Sequence, residues 1–557
     1  MYIGYISTLD QIIYGKNKSK KLYKIKCFNI EISDMLISYN GKLHGKIIIV
    51  YKIKNTNDNK TISQQEIIKP MLYIDKTTFK KLLNSDVNIQ NETIFQQEII
   101  KPTLYVGEII NIIGYMNNDN LLITLQYIYN IYRSNKSLIS QTTNLATSTI
   151  IRPLINKFIF SIDPKGCNDI DDALSYEIFE TYYLVSIYIA QPITFLTEEV
   201  LINRSKVAFS TLYNTYNNNK NDNLWRDDIT FKSSFIQNLE RDAYCIEFFI
   251  NKNFTINNIK HYPAKIINKF QTNYDECLNN EIINNFYNFT IQMNIYNKIE
   301  NLNKFSTHNL VSYWMILTNN YIGNLNNINK LNIPYRIVKE KYSMDNIFDN
   351  IQDIAIKNIF ISKIQNSAIY SLDDTNRYHS KLQISNYIHF TSPIRRIIDT
   401  IIHWCITYNI NFKDLINKYN SDLDIINKLD KATKKYHNNI KLLNSIEKLF
   451  INSDIVYLYG YIYKKSIIKN YWTVYFYELG FQKVKIWDHK FNYLLDDNIK
   501  TNIEKISLGA KYIFIIYKKN GFLPYEKILI VPLQLKDKYN KDIPFTINDD
   551  NILNLKF

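Results

Sequence analysis

The sequence predicts an α+β multidomain protein in which β-rich segments flank a large mixed α/β domain. Three observations carry this. The chain has 557 residues, which at about 100–200 residues per domain makes three or four domains. Short runs rich in β-branched residues crowd both ends of the chain, while long stretches near its middle repeat apolar residues every three or four positions, the helical signature. Hydrophobic residues make up 46% of the chain, enough for cores of that size and against a disordered chain.

The segment 1–148 reads as short strands joined by polar turns. Ile47 to Ile53 and Gly107 to Tyr115 are too short and too β-branched for helices. TISQQEIIKPMLYID from Thr61 and TIFQQEIIKPTLYVG from Thr93 form a repeat at a 32-residue offset. Two copies cannot build a solenoid, so a local tandem duplication is expected. Lys16 to Lys26 carries six lysines and a tyrosine, either an RNA-binding edge or a solvated turn.

The segment 149–452 mixes both patterns. Strands are expected at Lys157 to Ile162, Tyr182 to Ala190 and Ala243 to Ile250, and helices at Ile351 to Ser371 and Ile425 to Ile451. In 453–557 strands return as IVYLYGYIY, WTVYFYEL, KYIFIIYKK and ILIVPL, the pattern of a small barrel. Trp472, Tyr475, Phe476 and Tyr477, with Lys464, Lys465 and Lys469, suit a base-stacking platform, although strand alternation sends part of these aromatics into the core.

The formal charge is +15, from 67 Lys+Arg against 52 Asp+Glu. Such a balance suits a polyanionic partner, nucleic acid first. The skew toward Asn, Ile, Lys and Tyr fits an AT-rich coding genome, which also favours lysine codons and makes Asn-rich stretches poor markers of loops. Five scattered cysteines, with no CxxC pair, argue against a disulfide framework or zinc site and fit a reducing compartment. The start MYIGYISTLD lacks a signal-peptide pattern, and no apolar run approaches the ~20 residues of a membrane helix. A soluble intracellular, cytoplasmic protein is expected, without a membrane partner.

Two motifs carry chemistry. FSIDPKGCNDIDDALS, from Phe160, holds Asp163, Asp169, Asp171 and Asp172, delivered by an apolar strand and a Pro-Gly-Asn turn. Carboxylates so crowded repel each other unless a cation sits among them. All-oxygen ligation points to magnesium or manganese; a calcium EF-hand would need Glu where Leu174 stands. An acidic surface loop is the alternative for this motif alone. YIHFTSPIRRIIDTIIH, from Tyr387, places Arg395 and Arg396 after a Ser-Pro turn at a helix start, suited to phosphate. A salt-bridged helix entry through Asp399 would also explain it.

Together the two motifs resemble the signatures of the RNase II/RNB family of exoribonucleases, roughly TIDPxxAxDxDDA and YxHFTSPIRRYxDxxxH. Arg152-Pro153-Leu154, TNYDE from Thr272, Tyr335-Arg336 and His379 to Phe390 extend the resemblance over about Arg152 to Phe450. It implies a central RNB catalytic domain, an N-terminal OB-like (cold-shock) region and a C-terminal S1-like OB barrel. It further implies hydrolytic 3′→5′ degradation of single-stranded RNA to nucleoside 5′-monophosphates with two magnesium ions. On the matching positions, Asp163, Asp169 and Asp172 would hold metal, Asp171 would serve the chemical step, and Arg395 would stabilise the scissile phosphate. Tyr274, Tyr213 and Arg396 would contact RNA.

The sequence departs from the family pattern at Gln191, where Asp usually follows Ile-Ala, and at Ile397, where Tyr usually follows the paired arginines. Asn439 is the nearest counterpart of the family's terminal-base carboxamide or carboxylate. No upstream endonuclease domain, no DNA substrate and a monomer are expected. A catalytically silent RNA-binding relative and a basic assembly protein are the competing classes; retention of all four aspartates and Arg395 argues against the first.

Overall fold

The computed structural model describes residues 2–7, 12–16, 22–27, 46–53, 105–115, 118–133, 150–297, 305–338, 367–373, 375–466, 471–479, 482–487 and 511–533. They fall into two compact units, Met1–Asn130 and Ile131–Phe557.

In the first unit β1 (Tyr2–Ser7), β2 (Ile12–Lys16), β3 (Leu22–Cys27), β4 (Lys46–Ile53) and β5 (Tyr105–Tyr115) close a barrel in the order β1-β2-β3-β5-β4, with β4 returning to β1. Only β3 and β5 run parallel. The β-branched runs expected as strands therefore lie in β4 and β5. Apart from the last three residues of its second copy, in β5, the tandem repeat lies outside the described residues, as do the side chains of the lysine-rich segment. One element differs from expectation. Leu121–Ile128, in a region read as strands, is a helix, α1. A short stretch rich in apolar residues fits either structure by composition, and here the helix buries Leu121, Leu122, Leu125 and Tyr127 together with Thr124 and Gln126.

The second unit is built on a six-stranded sheet in the order β10-β9-β8-β7-β6-β11. Its strands are β6 (Phe160–Asp163), β7 (Asp172–Ile178), β8 (Tyr182–Ala190), β9 (Glu240–Asn251), β10 (Ile256–Ile267) and β11 (Phe270–Asn273). All pairs are antiparallel except β6 with β11. Pro263, which cannot donate to a ladder, sits in the edge strand β10.

Helices α2 (Glu198–Ser205), α3 (Asp227–Ser233), α4 (Glu281–Asn297), α5 (Thr307–Asn329), α6 (Ile397–Tyr408), α7 (Phe412–Lys418) and α8 (Leu423–Leu449) surround the sheet. Alternation along β9 assigns its two faces. Phe248 packs on Trp314 of α5, and Tyr244 meets His403 of α6 edge-on. Ala243 and Cys245 point the other way, into a core with Ile159, Ile170 and Ile394. The helix expected at Ile425 to Ile451 is α8. Of the helix expected at Ile351 to Ser371, residues 351–366 lie outside the described residues. Its end is instead a strand: Ile369–Ser371 pairs antiparallel with Tyr335–Ile337, and the Tyr370 backbone is held at both its N–H and its C=O by the Asn427 side chain.

At the C-terminal end Ile455–Ser466, Tyr471–Phe476, Gln482–Trp487, Lys511–Lys518 and Ile528–Leu533 form an all-antiparallel sheet. The barrel expected here is an open sheet among the described residues, because Gln482–Trp487 and Ile528–Leu533 are its two edges and do not pair. Its apolar face closes on a helix instead: Leu442, Ile446 and Phe450 share a core with Leu458, Val474, Phe476, Phe514 and Ile530. A Cβ on Gly460 would lie 2.5 Å from the Phe514 ring, so only glycine admits that ring. Of the expected stacking platform, Tyr475 and Phe476 are buried and Tyr477 is exposed; the side chains of Trp472, Lys464, Lys465 and Lys469 lie outside the described residues. Among the described residues no helix is long and apolar enough to cross a membrane.

Candidate active site

The acidic motif is placed by neighbouring strand ends. Asp163 closes β6 and Asp172 opens β7. Between them Cys167 N–H donates to Pro164 C=O at 3.0 Å, with Gly166 at φ +80°. That is the turn position where glycine carries no strain. Alternation then sorts the rest. Ile170 is fully buried and is fixed by Ser234 Oγ on its N–H and by Phe235 N–H on its C=O. Asp169 and Asp171, on either side of it, point elsewhere.

The Ser-Pro turn is assembled from behind. Asp399 of α6 accepts from Ser392 N–H at 2.9 Å and from Arg396 Nη2 at 3.0 Å. Trp225 Nε1 and Thr400 Oγ1 both donate to Pro393 C=O. Phe390 stacks on His403 with ring centroids 3.7 Å apart, and His403 Nε2 donates to Phe390 C=O at 2.9 Å. The turn so held presents Ile394 N–H to Asp171 Oδ1 at 2.7 Å and Arg395 Nε to Asp171 Oδ2 at 2.9 Å. Arg395 Nη2 donates to Ser392 Oγ at 2.9 Å. The Arg395 side chain is 43% exposed while that of Asp171 is 2% exposed, so the arginine reaches from solvent into the acidic group.

The paired arginines therefore separate. Arg395 meets the carboxylates. Arg396, expected to contact RNA, is turned onto fully buried Asp399 and forms the salt-bridged helix entry. Ile397, in place of the usual Tyr, is fully buried. Gln191 is also fully buried, on Thr407 Oγ1 of α6, away from the aspartates' own hydrogen bonds.

Tyr213 is brought in by a loop that pairs with the turn: Thr211 N–H donates to Arg395 C=O, and Ile397 N–H to Phe209 C=O. Its hydroxyl donates to Asp169 Oδ2 at 2.9 Å. Tyr274 follows β11, whose Asn273 lies beside Asp163 in parallel register, so its ring emerges at the same sheet end. It stacks on His308 at 3.7 Å. His308, and His437, whose Nε2 accepts from Tyr213 N–H at 3.1 Å, carried no signal in the sequence, since each meets its partner only through folding. Asn439 is buried and bonds its own helix at Lys435 C=O.

The electrostatics show a shortage of positive charge. Burial, then Asp172 and Asp171, push the Asp163 carboxyl up to about 8. Burial raises Asp172 to about 6 against the pull of Arg395. Burial also raises Asp171, with Arg395 and the Ile394 N–H favouring its charge. Asp163 Oδ2 is buried without a hydrogen-bond partner. This donor set, all hard carboxylate oxygen with one orphaned atom, fits a magnesium-type cation. Among the described residues, however, no three side chains stand ready-made around an ion, so Asp163, Asp169 and Asp172 do not form a closed ligand set as they lie. Asp169 is engaged by the Cys167 thiol and by Tyr213.

Residues 151–285 and 278–411 match the model of the RNB domain. The chain carries an RNB domain over 151–411. Over 71 residues it is 41% identical to ribonuclease R of Buchnera aphidicola, a match spanning 13% of this chain and 9% of that relative's length. The apo form of Mycoplasma genitalium RNase R superposes with a TM-score of 0.67 at 14% identity, covering 96% of this chain and 89% of the other. Yeast Ssd1, described as a pseudonuclease, gives 0.58 at 12% identity, covering 88% and 65%. The RNB fold is thus shared by chains that cut RNA and by one that does not.

Proposed function

We propose that this RNB chain is a metal-dependent 3′→5′ exoribonuclease that hydrolyses single-stranded RNA to nucleoside 5′-monophosphates. The observation that carries the reading is the junction of the two motifs: four aspartates at one sheet end with Arg395 among them. A structural role alone would not gather carboxylates that disfavour each other's charge and leave one oxygen orphaned.

In this reading Asp163, Asp169 and Asp172 hold magnesium, or manganese, with Asp169 Oδ1 exchanging its Cys167 hydrogen bond for the ion while Oδ2 keeps the Tyr213 hydroxyl. Bound metal would activate water and stabilise the leaving 3′ oxygen. Arg395, charged and half-exposed, would meet the non-bridging phosphoryl oxygens where negative charge builds. Asp171 orients that guanidinium through Nε and leaves its other face to the phosphate. The Tyr274–His308 stack beside Asp163 offers an aromatic face to a base near the end of the strand. The closed N-terminal barrel and the C-terminal sheet would serve as OB-like modules supplying RNA affinity from segments 1–148 and 453–557, with a catalytic domain at 149–452 between them in the sequence. The proposed enzyme is a cytoplasmic monomer.

One observation favours a second reading, a silent RNB-fold RNA-binding protein: Asp169 and Asp171 already spend their oxygens within the protein. The test is a 5′-labelled single strand incubated with magnesium or with EDTA. Progressive shortening that EDTA stops is expected, with a 3′ label released at once as mononucleotide. Tight binding without shortening would establish the silent reading, and internal cuts in circular RNA would exclude an exonuclease.

A further inference from the structure

We propose that Arg133 and Arg204 are positioning residues: by gripping backbone carbonyls they hold the loop that carries Tyr213 onto Asp169, and so set that carboxylate within the site. This rests on the function proposed above. The loop spans residues 209–224 and has no regular strand of its own. Leu212 and Asp222 exchange both backbone hydrogen bonds, at 2.9 and 3.0 Å, which makes a narrow hairpin with Tyr213 just beyond the pairing. Asn214 ties the tip through Asn221 Oδ1 and Lys220 C=O.

Beneath the hairpin lie two guanidiniums. Arg133 Nη1 donates to Asp222 C=O at 3.3 Å and Asn223 C=O at 3.2 Å, and its Nη2 donates to Ser210 C=O. Arg204, in the last turn of α2, donates from Nε to Leu224 C=O at 2.8 Å and from Nη2 to Asn223 C=O at 3.4 Å. Both hairpin legs are therefore gripped, at Ser210 on one and at Asp222 to Leu224 on the other. The arginines are 5% and 3% exposed, and among the described residues neither forms an ion pair with a carboxylate. Two charges buried side by side, with the Asp222 carboxylate favouring both but in contact with neither, are costly. Apolar residues would fill the space more cheaply, but would leave the carbonyls of Ser210, Asn223 and Leu224 without these donors, Asp222 C=O alone keeping the Leu212 N–H. What the grip delivers is the Tyr213 hydroxyl at 2.9 Å from Asp169. A guanidinium suits the task because its fixed fork reaches two legs at once, which an ammonium cannot do.

The test combines Arg133→Met, Tyr213→Phe and the double variant in the full chain. Amide exchange of Leu212 and Asp222 should quicken about tenfold or more in Arg133→Met, while amides of β8 and β9 keep their wild-type rates. Turnover and RNA affinity are read for all three. If Arg133 acts through Tyr213, the double variant is no worse than the more severe single one. Unchanged exchange, or single effects that multiply in the double variant, would overturn the proposal. Should Arg133→Met fail to fold, Arg204→Gln, which keeps one donor for the same leg, takes its place with the same expectations. If the wild-type chain shortens no RNA, the proposed activity falls, while exchange and the affinity cycle still judge the grip.

Discussion

Asp163 is where the strain of the acidic group concentrates, because its Oδ2 is buried without a partner among three other carboxylates. Asp163→Asn removes that repulsion. In metal-free buffer the variant should melt higher than the wild type, and magnesium should raise its melting temperature less. Equal melting points without metal and equal gains with it would contradict the placement of charge argued here. Asp171→Asn probes a different function. It keeps an acceptor for the Ile394 N–H or for Arg395 Nε, but not for both, so the guanidinium loses its orientation. Turnover should fall on the order of a thousandfold, roughly 4 kcal/mol of barrier, with RNA affinity equal or higher because one negative charge is gone. Single-turnover rates beside filter binding decide it; near-normal turnover would remove the support for this site.

At the scale of elements, helix α6 fixes the Ser-Pro turn through two buried groups, Asp399 and His403. His403 donates from Nε2 and has Nδ1 buried without a partner, so it is held neutral. Burial pushes it down to about 3, with the bond to Phe390 C=O opposing. The unfolded chain takes up a proton near the ordinary value of about 6.5 and the folded one does not. The contribution of His403 is therefore complete above that value and is lost as pH falls toward 3. The slope is about 1.4 kcal/mol per pH unit for this one site. Denaturant midpoints at pH 6 and 4.5 should fall more steeply for the wild type than for His403→Gln. Parallel slopes would mean that His403 is charged in the folded protein.

At the scale of the whole molecule, the C-terminal sheet is not a detachable appendage. It shares one core with the end of α8, so removing Asp454 to Phe557 bares Leu442, Ile446 and Phe450. The truncated chain should bind RNA more weakly, with a shallower dependence of log K on log salt. It should also melt several degrees lower, since several large apolar side chains lose their cover. An unchanged melting temperature would show that the helix end finds other cover. An unchanged salt slope would show that the segment neutralises no phosphates.

How much of this was legible in the sequence follows from the range of the forces involved. Strand alternation, the Pro-Gly turn and the Ser-Pro helix entry are local, and they placed β4, β5, β8, α8 and both motifs. The density of carboxylates set the expectation of a cation among Asp163, Asp169, Asp171 and Asp172, where the structure places the Arg395 guanidinium on Asp171. Local signals failed where a short apolar run fits helix and strand equally, as at Leu121–Ile128, and where a distant side chain claims the backbone, as at Tyr370. Only the tertiary structure decided which arginine faces the aspartates. Arg395 and Arg396 are adjacent and chemically identical, and the difference is made by a buried carboxylate one helical turn on, Asp399, which turns one of them away. The same holds for Arg133, His308 and His437: long-range contacts leave no periodicity in a chain, so their partners become visible only when folding brings residues tens or hundreds of positions apart into hydrogen-bond reach.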